Sequence, residues 1–292
     1  MITPTRASLL SEAAAAMSAA GFDEPRRQAR RLLAAALNIS PAQLFCDADL
    51  PVARQQTEVF KAMLSRVINR EPLSRILGRR EFWGLEFSLS SGTLDPRPAT
   101  ETVVEAMLSR KADRDAPLRL LDLGTGSGCL LSALLSEFLR ASGVGIDITE
   151  AAVRTAAQNA ARLGLADRAL FCVGDWASAL SGKFDAIVAN PPYIPRRDLP
   201  LLPTEVVAYD PWQALDGGED GLAAYRAIAV QIPTLLASDG IFVTELGVAQ
   251  ADEVAAIMEA AGLVHDGLDL DLAGIARCLT VRAPPPFPQS KK

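Results

Sequence analysis

The first part of the chain has apolar residues at the spacing of amphipathic helices. This periodicity runs through residues 5–20, 24–37 and 52–70. Pro25 stands where a helix tolerates proline, in its first turn. We therefore predict an N-terminal helical-bundle domain over residues 1–75 and expect it to dock a partner. A purely structural appendage is the alternative.

A two-residue alternation replaces the helical spacing after this bundle. Apolar and polar residues alternate over 85–89, as they do in a half-buried strand. We predict a β-hairpin linker over residues 76–98. Prolines stiffen its end, and Thr100 is the predicted N-cap of a helix over residues 101–110.

From Leu118 onward, short apolar strands alternate with helical segments. This order is typical of an α/β fold, in which helices cover both faces of a mostly parallel sheet. We predict such a domain over residues 99–283 and a disordered tail over 284–292. The predicted strands are 118–122, 143–147, 169–173, 184–189, 240–246, 263–268 and 277–282, and the predicted helices are 128–140, 150–163, 219–237 and 249–261.

A long loop interrupts this alternation. It follows the strand at 184–189 and leaves residues 191–218 without a predicted element. Loops of this length inside a compact domain are usually functional. We expect the segment to form a wall of a binding site.

Composition narrows the class of protein. Of the 292 residues, 49% are hydrophobic and 22% are charged, and no apolar run approaches the roughly 20 residues of a membrane helix. The N-terminal segment lacks the continuous apolar core of a secretory signal. We therefore expect a cytoplasmic monomer that does not bind membranes.

Few residues are available for metal or histidine-dependent chemistry. The four cysteines are far apart, without a Cys-x-x-Cys pair, and the single histidine is His265. The pattern indicates neither a zinc site nor a disulfide framework, and it argues against a Ser-His-Asp enzyme. We predict no metal site.

The net charge of −6 is unevenly distributed along the chain. Residues 1–100 contain 13 Lys and Arg against 10 Asp and Glu, so this part is basic while the remainder is strongly acidic. The mildly basic N-terminal part suits binding to an acidic or RNA-associated protein partner. The acidity of the remainder argues against binding duplex DNA through its phosphates. The alternative is that the arginines of this basic part form an ordinary solvent-exposed face of a helix.

Three successive strand ends carry residues that suit a nucleoside ligand. Asp147 ends the second strand, where a carboxylate accepts ribose hydroxyls, and Asp175 and Trp176 follow the third, where an acid and an indole flank an adenine ring. After the first strand, a glycine turn lets backbone N–H groups approach a ligand closely. Its Gly-x-Gly-x-Gly spacing departs from the dinucleotide fingerprint, which disfavours nicotinamide and flavin. The turn consists of Gly124, Thr125, Gly126, Ser127 and Gly128.

The fourth strand end carries Asn190, Pro191, Pro192 and Tyr193. The two prolines fix the backbone shape. The Asn190 side-chain oxygen and the Pro191 carbonyl are acceptors for the two hydrogens of an NH2 group, and Tyr193 offers a flat face to a planar amide or base. Asn and Pro also form ordinary turns. Because three other strand ends also carry candidate ligand-binding residues, a binding site is favoured over an ordinary turn.

The succession Asp-x-Gly-x-Gly-x-Gly, strand-end Asp, Asp-Trp and Asn-Pro-Pro-Tyr resembles the S-adenosylmethionine-dependent amino and amide methyltransferases. Within this group the chain resembles the HemK/PrmC family, the peptide-chain release factor glutamine methyltransferases. The likeness covers nearly the whole chain, and its motifs lie at residues 78–83, 96–98, 190–194, 205–226, 245–250 and 271–277. Gln28, Ala99 and Ala276 stand where the family usually has an acid, which bears on particular loop or domain contacts.

The resemblance implies a Rossmann-like methyltransferase domain that binds S-adenosylmethionine. It implies methylation of the side-chain amide nitrogen of the glutamine in the Gly-Gly-Gln loop of a release factor. Asn190, Pro191 and Tyr193 would be catalytic, Pro192 would contact the substrate with them, and Asn190 would also contact the cofactor.

Three other functions remain open. They are a ribosomal-protein glutamine methyltransferase, an adenine-amino DNA methyltransferase acting on a flipped base, and a non-catalytic binding module. The acidic C-terminal part offers no basic target-recognition region, which disfavours the DNA enzyme.

Overall fold

A computed structural model of the protein describes residues 3–284. The chain divides into two compact units, Met1–Arg79 with Thr204–Tyr209, and Arg80–Pro203 with Asp210–Lys292. Apart from Pro284, the predicted tail over 284–292 lies outside the described residues.

The first unit is a group of helices around one apolar core. The helical periodicity of the sequence buries Leu9, Leu33 and Phe60 almost completely in this core. Thr5 caps the first helix. Pro25 occupies the first turn of the second helix, as predicted. The helices are α1 (Arg6–Ala19), α2 (Pro25–Leu37), α3 (Gln43–Cys46), α4 (Arg54–Ile68) and α5 (Leu73–Leu77), together with the later helix α9 (Thr204–Tyr209).

A two-stranded hairpin stands at the start of the second unit, with strands β1 (Arg79–Phe82) and β2 (Leu85–Ser88). Its turn residues Trp83 and Gly84 have φ of 53° and 68°, the left-handed geometry that two-residue hairpin turns require. The Trp83 N–H donates to the Glu101 carboxylate at 2.8 Å, which ties the hairpin to the next helix, α6 (Glu101–Arg110).

The predicted N-cap role of Thr100 is wrong. A 3-10 turn, Pro98–Thr100, precedes α6, and the Thr100 side chain makes no capping hydrogen bond. Its φ and ψ of −66° and −21° are already helical, whereas a capping residue is extended. The Thr100 side chain is therefore available for other contacts.

Seven strands form the main sheet of the second unit, as predicted. Their order is β5-β4-β3-β6-β7-β9-β8; β3 to β7 run parallel, and β9 is antiparallel to both of its neighbours. The chain runs outward from β3 to β5 and then returns to β6, so the strand order reverses between β3 and β6. The strands are β3 (Arg119–Leu123), β4 (Ser142–Asp147), β5 (Ala169–Val173), β6 (Phe184–Ala189), β7 (Leu236–Glu245), β8 (Val264–Leu270) and β9 (Ala276–Arg282).

Helices cover both faces of this sheet. Met107 of α6 belongs to one apolar layer, and Tyr225 and Met258 belong to the other. Along β3, Leu120 faces the first layer and Leu121 faces the second, as the alternation of a strand requires. The remaining helices are α7 (Cys129–Glu137), α8 (Glu150–Arg162), α10 (Ala223–Leu235) and α11 (Ala251–Ala260).

Three predictions after β6 need correction. The segment 191–218 contains α9 and the 3-10 turns Arg196–Leu201 and Trp212–Ala214, so it is not structureless. Helix α10 begins at Ala223 rather than 219, and β7 begins directly after it, at Leu236 rather than 240. Short helical turns between prolines give no periodic signal that a sequence would reveal.

Among residues 3–284, no helix combines the length and apolarity needed to cross a bilayer. The same residues include no group of three His, Cys, Asp or Glu side chains placed to hold a metal ion.

Candidate active site

A cavity of about 440 Å³ opens at the carboxyl edge of the parallel strands, where the strand order reverses. Leu123 lies in register with Ile146 and with Ala189, so the ends of β3, β4 and β6 are level. Open α/β sheets bind their ligands at this position. Nine predicted site residues line the cavity: Gly124, Thr125, Gly126, Ser127, Asp147, Asp175, Trp176, Asn190 and Pro192.

The glycine turn leaves β3 in a conformation that favours glycine. Gly124, Gly126 and Gly128 have φ of 71°, 55° and 78°. The Thr125 N–H donates to the Ile146 carbonyl at 2.8 Å, which holds the turn against β4. Gly128 does not line the cavity; a Cβ there would lie 3.0 Å from the Cβ of Ala156, so this glycine permits close packing against α8.

A buried carboxyl group lies beneath the turn. Asp122 is 1% exposed, and its Oδ2 accepts the Thr125 hydroxyl at 2.6 Å. Burial raises the pKa of Asp122 to about 7. Within the described chain its Oδ1 has no hydrogen-bond partner. The sequence shows an acid at this position but not its burial.

Asp147 holds the glycine turn as well as facing the cavity. Its Oδ2 accepts the Gly126 N–H at 3.0 Å, and its Oδ1 accepts the N–H and the hydroxyl of Thr149, both at 3.0 Å. A carboxylate accepts about four hydrogen bonds. Asp147 therefore keeps capacity for a ligand hydroxyl.

Asp175 and Trp176 follow β5 at the same edge. Asp175 is exposed, Trp176 is partly buried, and both line the cavity. Trp176 has a φ of 49°, and its ring lies close to Gly124, where an added Cβ would be 3.5 Å from Cζ3. The indole therefore faces the glycine turn, as a planar wall for an aromatic ligand would.

Asn190 is oriented by a neighbour that the sequence motifs did not point to. Its Nδ2 donates to the Thr100 hydroxyl oxygen at 3.1 Å. Thr100 also lines the cavity, although it lies 90 positions away in the chain. The bond fixes the donor end of the Asn190 amide and leaves Oδ1 as the acceptor end.

Pro191 and Tyr193 do not line this cavity, although Pro192 does. Pro191 is buried. The Tyr193 hydroxyl donates to Oε1 of Glu245 at 3.2 Å, and burial beside this carboxylate raises the pKa of Tyr193 above its usual value. The roles predicted for Pro191 and Tyr193 at a bound amide stay predictions.

Glu245 is the second residue that the sequence motifs did not assign to the site. It ends β7, the strand beside β6, and is only 1% exposed. Burial raises the pKa of Glu245, and contacts with Thr100, Tyr193, Arg277 and Arg97 oppose that rise. Its position at the end of a strand could have identified Glu245 from the sequence, since the other site residues also follow parallel strands.

The long segment after β6 returns to the cavity and is fixed there by its backbone. The Ile194 N–H donates to the Leu215 carbonyl at 3.1 Å, and the Gly217 N–H donates to the Ile194 carbonyl at 2.9 Å. Nε2 of Gln250 donates to the Tyr193 carbonyl at 3.0 Å. Trp212, which is half exposed, lines the cavity with its neighbours. The expected wall role of this segment agrees with its position.

Family models match two parts of the chain. The model described as the PrmC N-terminal domain matches residues 8–78, and a methyltransferase domain matches residues 114–276. The release factor glutamine methyltransferase of Rhodospirillum rubrum is 48% identical over 94% of this chain and 84% of its own length. The Bradyrhizobium diazoefficiens protein of the same name is 45% identical over 94% of this chain and 93% of its own length.

A solved structure shares the fold. The crystal structure of a methyltransferase from Pyrococcus furiosus superposes with a TM-score of 0.51, at 14% sequence identity, over 76% of this chain and 98% of that chain. This likeness concerns the fold alone.

Proposed function

Because this chain belongs to the release factor glutamine methyltransferase family, we propose that it methylates the side-chain amide nitrogen of a glutamine in a peptide-chain release factor. The methyl donor is S-adenosylmethionine, the cofactor of such enzymes. The observation that carries the proposal is the Asn190 side chain, held at the cavity by Thr100 with its oxygen as the free acceptor end.

The residues present fit this cofactor. The left-handed glycine turn brings backbone to the cavity wall, and the Trp176 ring lies beside Gly124. Asp147 has capacity for a ribose hydroxyl, and Asp175 and Trp176, which line the cavity, would flank the adenine. When bound, the cofactor supplies an electrophilic methyl group on a sulfonium centre.

Asn190 would hold the glutamine amide for attack. An amide nitrogen is a poor nucleophile because its lone pair is delocalised into the carbonyl, so orientation must supply much of the rate. Oδ1 of Asn190 would accept one amide hydrogen and stabilise the positive charge that develops on the nitrogen. In the predicted arrangement the Pro191 carbonyl accepts the second hydrogen and Tyr193 packs on the amide plane. The nitrogen would lose its proton after transfer, so no histidine base is required.

The first unit would dock the protein substrate. Its support is the match of residues 8–78 to the PrmC N-terminal domain and the basic α2, on which Arg26 and Arg27 are exposed. Reversing both charges to Glu should raise KM for the release factor at least about threefold and leave cofactor affinity unchanged. Arg54→Glu, at an exposed position of α4, is the matched control. Equal KM values for both variants would refute the docking role.

A transfer assay separates the candidate substrates. Labelled S-adenosylmethionine is incubated with the protein and, separately, with a release factor, ribosomal proteins and duplex DNA. Label on the release factor that peptide mass spectrometry places on a glutamine amide supports the proposal. Label on ribosomal protein or DNA alone would refute it in favour of that substrate, and the absence of label everywhere would indicate a non-catalytic module.

A further inference from the structure

The Asn190 side chain can act as an acceptor for substrate only in one of its two orientations. Its amide carries an oxygen at one end and an NH2 group at the other, and the two ends differ little in shape. In the structure Nδ2 donates to the Thr100 oxygen at 3.1 Å. A hydroxyl both donates and accepts, so Thr100 accepts here only when its own proton is directed elsewhere.

A carboxylate lies where that proton can go. Glu245 is buried at the end of β7, and Thr244 lies in register with Ala189, the residue before Asn190. Oε1 of Glu245 accepts the Tyr193 hydroxyl at 3.2 Å. Oε2 is buried and, in the part of the chain that the structure describes, has no hydrogen-bond partner. Burial raises the pKa of Glu245, and the neighbouring Thr100 hydroxyl opposes that rise, as do Tyr193 and the charges of Arg277 and Arg97.

We propose that Thr100 and Glu245 are positioning residues that set the orientation of the Asn190 amide. The Glu245 carboxylate accepts the Thr100 proton, the Thr100 oxygen accepts from Nδ2 of Asn190, and Oδ1 is thereby turned toward the substrate. The charges of Arg277 and Arg97 favour the ionised form of Glu245 against the effect of burial. In that form the carboxylate can only accept, so it fixes the direction of both hydrogen bonds. This inference rests on the proposed function, because it concerns how Asn190 meets a glutamine amide.

The alternative orientation explains why the carboxylate matters. If Glu245 were replaced by an amide, the new NH2 group could donate to the Thr100 oxygen. The Thr100 proton would then be free to donate to Oδ1 of Asn190, which turns Nδ2 toward the substrate. The NH2 group of Asn190 and the NH2 group of the substrate glutamine would then face each other, and both are donors without an acceptor oxygen. The substrate nitrogen would lose the contact that orients it.

We call the two hydrogen bonds, from Asn190 to Thr100 and from Thr100 to Glu245, the relay. Substitutions of Thr100 test its first step, the hydrogen bond from Nδ2 of Asn190 to the Thr100 oxygen. Thr100→Val removes the hydroxyl with little change in volume and should lower kcat by between about 10-fold and about 100-fold, with the cofactor Kd unchanged. Thr100→Ser keeps the hydroxyl and should retain kcat within about threefold. Thr102→Val is the matched control, because Thr102 is a buried threonine two positions further along, in α6, and does not line the cavity. Equal losses for Val and Ser at position 100 would overturn the relay.

Glu245→Gln tests the second step, because it preserves shape and replaces an acceptor by a donor. It should lower kcat by a similar factor. The double variant Thr100→Val, Glu245→Gln should lose no more than the worse single variant, since both act through Asn190. Losses that multiply, or a loss that appears only in cofactor affinity, would overturn the relay. Far-ultraviolet circular dichroism checks that each variant is folded. If Glu245→Gln does not fold, the substitutions at position 100 alone decide whether the relay holds.

A second readout does not depend on catalysis. The side-chain amide resonances of Asn190 in a 15N-labelled sample, assigned with Asn190→Ala, report the partner of Nδ2. They should coincide in wild type and Thr100→Ser, and they should shift in Thr100→Val and Glu245→Gln. Unchanged resonances in all variants would refute the relay. Failure of the wild type to methylate a release factor refutes the proposed function instead, and the resonances still decide the relay.

Discussion

Replacing Asp122 by asparagine is expected to stabilise the protein more at alkaline pH than at acidic pH. The Asp122 carboxyl is buried at the end of β3, with one oxygen on the Thr125 hydroxyl at 2.6 Å and the other without a partner among the described residues. Burial raises its pKa from 3.8 to about 7. The folded protein therefore keeps a proton at pH values where the unfolded chain has released it.

The sign and size of the effect follow from this difference in pKa. Because the folded pKa is the higher one, the contribution to stability is complete below about pH 4 and is lost as the pH rises through about 7. One pKa unit corresponds to about 1.4 kcal/mol, so the whole shift amounts to about 4 kcal/mol. Between about pH 5 and about pH 8, the wild type should lose about 2.5 kcal/mol through this group. Asparagine stays neutral and still accepts the Thr125 hydroxyl.

Urea unfolding at about pH 5 and about pH 8 measures this difference. Tryptophan fluorescence is the suitable signal because Trp83, Trp176 and Trp212 all belong to the second unit, as Asp122 does. The advantage of Asp122→Asn over wild type should grow by about 2.5 kcal/mol from the lower to the higher pH. Asp167→Asn, at an exposed aspartate of the same unit, is the control. An advantage that is the same at both pH values would refute the reasoning.

Two further substitutions test the glycine turn, one through the carboxylate that holds it and one through its packing against α8. Asp147→Ala should weaken S-adenosylmethionine binding by between about 10-fold and about 100-fold, because it removes a ribose acceptor and frees the Gly126 N–H, and calorimetry showing an unchanged Kd would contradict this. Gly128→Ala should lower the free energy of unfolding by at least about 2 kcal/mol, because a positive φ and a Cβ 3.0 Å from that of Ala156 both oppose it. Gly164→Ala has a similar φ but open space around it, so it should lose only about 1 kcal/mol, and equal losses in thermal unfolding would show the steric argument wrong.

The apolar pattern was sufficient to predict the sheet because most of its strands are short apolar runs, which are buried in the central strands β3 and β6 and largely exposed in the edge strand β5. The runs at 184–189 and 169–173 coincide with β6 and β5, and the residues that follow them line the cavity. Strand ends are informative since parallel strands bring their carboxyl ends to one edge. The glycine turn, Asp147 and Asn190 could therefore be grouped before any coordinates were known.

The contacts that orient Asn190 could not be predicted in the same way. Thr100 looked like a helix cap because a hydroxyl before a helical segment is the usual signature of one. Its actual partner lies 90 positions away, and Tyr193 is 52 positions from Glu245. Such pairs depend on how strands and loops pack, which periodicity does not encode. The raised pKa of Asp122 has the same origin, because it depends on burial and not on residue type.

The central claim is that Asn190 orients a glutamine amide for methylation. The most direct test compares wild type with Asn190→Ala, using labelled S-adenosylmethionine, a release factor and mass spectrometry of the glutamine-bearing peptide. Methyl transfer to the glutamine should fall at least about 100-fold, because the lost acceptor acts mainly on the developing charge. The cofactor Kd should change far less. Near-normal turnover by the variant would contradict the account.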